Sequence, residues 1–288
     1  MTHSPSPPSL FDEVMYIQRL KRAHKLGFAD FLIRRSADEL NERLSAILRQ
    51  FDTIADVGTP SPIFSQEIAK AIDKDRFLHL SPCTMAQNIQ KALPLKTAHF
   101  GLIVSSMALH AVNDLPGTLI QINRALRPDG LFLACIPGGS TLKELRTVLQ
   151  VAEEEITGGI SPRIFPFADI KDLGALLQRA GFKLPVTDSD TVIVRYTNML
   201  GLMHDLRKMG ATNILHTRLK LPTRRAVFRR AAELYQEKYS DPDGRIRATL
   251  ECIWVSGWAE HESQQKPLKP GSAKQTLADV LQKYSTKN

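Results

Sequence analysis

The chain predicts an α/β fold built on an open, mostly parallel sheet with right-handed crossovers. Three observations carry that expectation. Short apolar strands alternate with helical segments at the spacing of strand–helix–strand units. The run Phe100-Gly-Leu-Ile-Val-Ser-Ser106 is continuous rather than alternating, as a strand covered on both faces requires. The segment Thr53-Ile-Ala-Asp-Val-Gly58 is a short apolar strand closing on an acid and a glycine.

In chain order, residues 1–10 are Ser/Pro-rich and read as a disordered tail. Residues 11–50 read as N-terminal helices. One is expected from Asp12 to Arg35, and a second opens at a capping box, Ser36-Ala-Asp-Glu39, and runs to about Gln50. A main domain over 51–260 follows. It begins with the strand before Gly58, a helix over 63–72 and a short strand over 76–80. After Phe100–Ser106 come an amphipathic helix over 115–126, a type I turn at Arg127-Pro-Asp-Gly130 and a strand over 131–136. Helices are expected over 140–156 and 168–180, and a strand over 190–196. A helical insertion over about 197–240 holds helices at 197–209 and 223–239. A long strand over 247–258 and a polar tail over 261–288 end the chain.

Composition narrows the function classes. Apolar residues are 43% and charged residues 24% of 288, the balance of an ordinary globular protein. No apolar run nears the roughly 20 residues of a membrane-spanning helix. The start has neither secretory nor transit-peptide character. Cys83, Cys135 and Cys252 are far apart and show no C-x-x-C spacing, so they are expected as small buried hydrophobes in a cytoplasmic protein. The net charge is +8, with Arg224, Arg225, Arg229 and Arg230 clustered at helical spacing. Such a cluster could meet an acidic partner, an anionic membrane surface or nucleic acid, or form a solvated face opposite Val227, Phe228, Ala231 and Tyr235. No aromatic-and-basic strand pattern accompanies it. A solvated face is therefore expected, with no nucleic-acid partner, while peripheral membrane contact stays open.

In such sheets a nucleoside cofactor sits at the carboxyl ends of the strands. A class I S-adenosylmethionine (SAM) methyltransferase, Rossmann-like in its sheet, would carry D-x-G-x-G-x-G after the first strand. This chain reads Asp56-Val-Gly-Thr-Pro-Ser-Pro62. Asp56 and Gly58 remain, but Pro60 and Pro62 replace two glycines, and proline has no N–H and cannot take positive φ. An acid should end the second strand to bond the ribose; Ser81 stands there, without the strength of a carboxylate. Between Gly58 and Phe100 the full pattern needs roughly 50 residues. Only about 41 are present. The third-strand region is therefore expected to be truncated, and helices are added elsewhere. Ser105 and Ser106 could line the same pocket or simply pack tightly.

Several segments carry a more specific resemblance: Ser105-Ser-Met-Ala-Leu-His-Ala-Val-Asn-Asp-Leu-Pro116, Gly138-Gly-Ser-Thr-Leu-Lys-Glu-Leu-Arg146, Glu154-Glu-Ile-Thr-Gly-Gly-Ile-Ser-Pro162, Asp172-Leu-Gly-Ala-Leu-Leu-Gln-Arg-Ala-Gly-Phe182 and His261-Glu-Ser-Gln-Gln265. On these the chain resembles bacterial relatives of a mitochondrial assembly-factor family that modifies a subunit of respiratory complex I. The group lies within the SAM-dependent methyltransferases and beside the malonyl-carrier-protein methyltransferases. The resemblance implies a seven-stranded sheet, SAM binding and a protein substrate. For the mitochondrial member it implies hydroxylation of an arginine rather than methyl transfer. The chain departs from the family at the glycine turn, at the second-strand acid, in the third-strand region and at Ala111, where the family carries an aromatic.

Two functional readings follow. In the first, Asp56, Gly58, Ser81 and Ser105 hold SAM while His110 and Asn113, at the carboxyl end of the Phe100–Ser106 strand, face a protein arginine. In the second, the chain is a binding module that has lost SAM and serves as an assembly factor. His110 could equally pack and cap the helix near Asp114. Gly138-Gly139 could admit a ligand, or form a helix N-terminal turn capped by Ser140 or Thr141. Arg146 and Arg163 are expected in surface ion pairs, and Glu153-Glu-Glu155 on a solvated helix face. No histidine is followed two residues later by Asp or Glu, so no iron site of the His-x-acid type is expected.

Overall fold

A computed structural model describes residues 9–69, 77–88 and 92–265. The expectations for residues 1–8 and for most of the 261–288 tail lie outside that set. So does the end of the helix expected over 63–72.

A six-stranded sheet runs in the order β2-β1-β3-β4-β6-β5. Its strands are β1 (Ile54–Val57), β2 (Phe77–Leu80), β3 (Phe100–Ser106), β4 (Leu126–Pro137), β5 (Lys183–Tyr196) and β6 (Ile246–Trp258). The first four pair parallel, and β6 runs antiparallel to both β4 and β5. This is the expected class I methyltransferase-type α/β sheet. Among the described residues no strand stands between β2 and β3, in line with a truncated third-strand region. β1 and β3 are buried along their whole length, which accounts for their unbroken apolar sequence.

Helices cover both faces. On one side α2 (Phe31–Ser45) and α3 (Pro62–Ala69) place Ile33, Ala37, Leu40 and Phe64 against Leu102, Val104 and Trp254. On the other, α5 (Leu115–Ala125) and α7 (Ile170–Arg179) set Leu119, Ile122, Leu173 and Leu177 against Ile103, Phe132 and Ile253. A third cluster joins α6 (Lys143–Thr157), α8 (Met199–Lys208) and α9 (Arg225–Tyr239) to the start of β6. Thus α8 and α9 occupy the connection between β5 and β6. α1 (Glu13–Lys25) and α4 (Pro82–Asn88) pack together at the carboxyl edge of the sheet. No helix among the described residues is long and apolar enough to cross a membrane.

Three local expectations are corrected. The single helix over 12–35 is two, because Gly27 turns left-handed at φ +78° and redirects the chain. Ser36 is not a cap: it lies inside α2, where its hydroxyl donates to the Ile33 carbonyl at 2.8 Å and pairs with the Ser106 hydroxyl at 2.6 Å. Arg127–Gly130 is a bulge within β4 rather than a connecting turn. Phe100 pairs with Leu126 and Leu102 with Leu131, so β4 spends five positions where β3 spends two.

Candidate functional site

The strand order changes direction between β1 and β3, which makes the carboxyl ends of those strands the natural ligand crevice. Gly58 follows β1 at φ +83° and Met107 follows β3 at φ +51°, a conformation uncommon outside glycine. Asp56 is fully buried. Its Oδ1 accepts the Thr59 hydroxyl at 2.5 Å, and its Oδ2 lies 3.0 Å from Nδ1 of His79, its register partner on β2. The Ser105 hydroxyl donates to the Val57 carbonyl at 2.7 Å. Ser81 caps α4, accepting the Thr84 N–H at 3.1 Å and pairing with the Thr84 hydroxyl at 3.0 Å. The candidate cofactor residues Asp56, Gly58, Ser81 and Ser105 therefore do surround one turn. The three with side chains are engaged within the protein.

The cradle at Gly58 tests whether SAM fits. A Cβ placed there would overlap Met85 Sδ and lie 3.1 Å from the Ala108 methyl. The gap bounded by Gly58, Met85, Ala108, Glu13 and Tyr16 measures about 10 Å³. Sites for molecules the size of SAM run to about 300–1,000 Å³. The close approach that glycine permits is taken by a methionine of the same chain, and among the described residues the space left at this turn is too small for SAM.

His110 sits on a one-turn 3-10 segment (Leu109–Ala111) that follows β3. Its ring lies 5.9 Å from both Phe165 and Phe167, and its buried Nδ1 has no hydrogen-bond partner among the described residues. The protein encloses it, and its residual surface lies on a cavity of about 80 Å³ shared with Tyr16, Pro60, Met107 and Phe165. Burial pushes its pKa down to about 4, so the imidazole is neutral and a weak base near pH 7. Asn113 is fully used. Its Nδ2 donates to the Phe11 carbonyl at 3.0 Å and to Glu13 at 2.9 Å, and its Oδ1 accepts the Phe11 N–H at 2.8 Å. It thereby pins the segment leading into α1 over the site. Phe11 in turn packs at a tilt against Phe165, with ring centroids 5.3 Å apart.

Beyond the crevice, Gly138 admits not a ligand but Glu251: a Cβ there would lie 2.6 Å from the Glu251 carboxylate, which accepts the Ser140 N–H at 2.7 Å. Glu153 is not solvated. It is buried, bonded twice to Arg163 at 2.6 and 3.0 Å and also to Ser161, and these partners outweigh the upward effect of burial to hold its carboxyl below its ordinary value. Arg146 bonds the Phe165 carbonyl at 3.2 Å. On the α9 face Arg230 pairs with Glu155 and Glu233, while Val227, Ala231 and Tyr235 face the core. Cys135 and Cys252 are buried as expected, but Cys83 is only half-buried. Among the described residues no three His, Cys, Asp or Glu side chains gather in a metal-binding group.

Sequence reasoning missed Met85, Tyr16, Phe165 and Phe167. Only the closely spaced aromatics of Phe165-Pro-Phe167 gave a signal, since loop aromatics without periodicity must find cover somewhere. Met85 gave none: its place over Gly58 is a tertiary contact of a short helix.

Fold and crevice together define a methyltransferase-type protein. A methyltransferase-domain family model matches residues 28–185. The YcgJ protein from Bacillus subtilis superposes with a TM-score of 0.51 at 11% identity, covering 79% of this chain and 99% of that one. Among curated proteins, arginine-hydroxylase NDUFAF5 of Danio rerio is 37% identical, with 87% of this chain and 82% of the relative covered. The Homo sapiens protein of the same name is 38% identical, with 87% and 76% covered. A malonyl-[acyl-carrier protein] O-methyltransferase of Gallionella capsiferriformans is 32% identical over 58% of this chain and 55% of its own. The chain belongs to the methyltransferase-domain family and, within it, to the branch of arginine-hydroxylase NDUFAF5.

Proposed function

We propose that this chain is an assembly factor for respiratory complex I that acts on a protein partner, and that it does so without SAM in the glycine turn. The carrying observation is the filled cradle: Met85 occupies the space Gly58 leaves, where SAM would need to approach. Kinship with proteins named arginine-hydroxylase supports a protein arginine as the group recognised. The carboxyl edge, with His110, Phe165 and Tyr16, is where that partner would be read.

A second reading, SAM-dependent modification of the same arginine, is favoured by the retained Asp56 and Gly58. It needs Met85 and α4 to swing aside. In that reading Asp56, Gly58, Ser81 and Ser105 hold SAM, and His110 and Asn113 face the substrate.

The test is genetic. In a host lacking this chain, assembled complex I on native gels should fall, and both the wild type and a variant carrying Asp56→Asn should restore it. No loss in the deletion strain contradicts the assembly role. Rescue by the wild type but not by Asp56→Asn, with the variant shown to be folded, favours the SAM-dependent reading.

A further inference from the structure

A second site lies where α1 meets α8, outside the crevice. The two helices pack closely: a Cβ on Gly210, just past α8, would lie 2.8 Å from Leu20. Arg19 and Arg22 stand three apart on α1 and so share a helix face. Arg207 is in the last turn of α8. Arg22 donates to the Thr212 hydroxyl at 3.0 Å. The Nε atoms of both Arg19 and Arg22 are buried and have no acceptor among the described residues.

Two nearby arginines are neutralised. Arg218 pairs with Asp12 and Arg163 with Glu153. Among the described residues no carboxylate pairs with Arg19, Arg22 or Arg207. Burial first, then the charges of Arg218 and Arg207, hold Arg19 below its ordinary pKa; burial, then Arg19 and Arg207, do the same to Arg22. Arg19 and Arg22, each with an orphaned Nε donor, and Arg207, close enough to repel both, form a site lacking its counter-charge. Arg207 and Thr212 also line a cavity of about 370 Å³ together with Arg163, His204 and Asn213, and the rest of its lining is apolar, Leu149, Met203 and Phe228 among it.

We propose that Arg19, Arg22, Arg207 and Thr212 bind a phosphate group, and that its ligand carries an apolar portion into the adjoining cavity. A guanidinium fork matches two phosphate oxygens at once, and a dianion answers the cluster's charge better than a single carboxylate. The site is independent of whether SAM binds.

The test uses the full chain, with calorimetry and thermal shift at constant ionic strength. The probes are inorganic phosphate and soluble dihexanoyl phosphatidic acid, and chloride is the control. Phosphate should raise Tm above chloride. Arg22→Gln and Arg207→Gln should each weaken phosphate by about tenfold or more, the loss expected for one charge-assisted contact. Without ligand, Arg207→Gln should melt no lower than the wild type, because it removes repulsion. Phosphatidic acid should bind about tenfold or more tighter than phosphate, as an apolar chain gains by burial. Equal affinity for the two probes would overturn the cavity's part and leave a free-phosphate site. Phosphate behaving as chloride does, or binding undiminished in both variants, would overturn the site itself.

Discussion

Replacing His110 with leucine should remove a defined slice of the protein's acid sensitivity. Burial lowers the histidine from an ordinary 6.5 to about 4. Between those values the unfolded chain binds a proton that the folded chain does not. Stability is therefore fully present above pH 6.5 and falls as pH drops through the window toward 4. Each pH unit is worth about 1.4 kcal/mol, so the whole window carries about 3 kcal/mol. At pH 7 the leucine variant should lie within about 1 kcal/mol of the wild type, because the side chain it removes leaves a buried nitrogen unpaired. Urea unfolding of both proteins from pH 7 to pH 4.5 measures the difference, and other titrating groups cancel in it. The wild type should lose ground to the variant steadily as pH falls. Two parallel stability curves would refute the buried, unpaired environment assigned to this ring.

Other consequences are as direct. Glu153→Ala should cost about 3–5 kcal/mol in chemical unfolding, because it leaves Arg163 largely buried without its partner. Adding Arg163→Met should recover part of that loss. The contribution of Glu153 is complete above the ordinary carboxylate value and disappears as pH falls through its lowered pKa. Asn113→Ala should cost about 1–3 kcal/mol and speed amide exchange at Phe11, whose N–H it pairs.

Much of this arrangement is written locally. The strands are legible because buried parallel strands need apolar runs, and β1 and β3 have them. The first half of β5 was not, because Lys183–Asp190 sets Leu184 and Val186 among proline, charged and polar residues and holds no apolar run. It lies on an outer strand whose exposure largely alternates along its length, so hydrophobicity marks only its end. Ser36 shows how a local signature can be outbid. A capping box predicts a helix start, yet its hydroxyl finds Ile33 and Ser106 inside a continuous helix. Glu153 reads as solvated in a run of three acids, because Ser161 and Arg163 reach it only once the chain turns back after α6. At the site, the departures at Pro60, Pro62 and Ser81 were visible in the sequence. The methionine that fills the Gly58 cradle was not, since no pattern in the chain ties Met85 to residues so far before it.

The proposal that most needs testing is that the glycine turn of this fold holds no SAM. Calorimetric titration of the full chain with SAM tests it most directly, with a thermal-shift series alongside. The filled cradle predicts no heat of binding and no change in Tm at millimolar SAM. Saturable binding in the micromolar range would contradict the account and return Asp56, Gly58, Ser81 and Ser105 to the work of holding a cofactor.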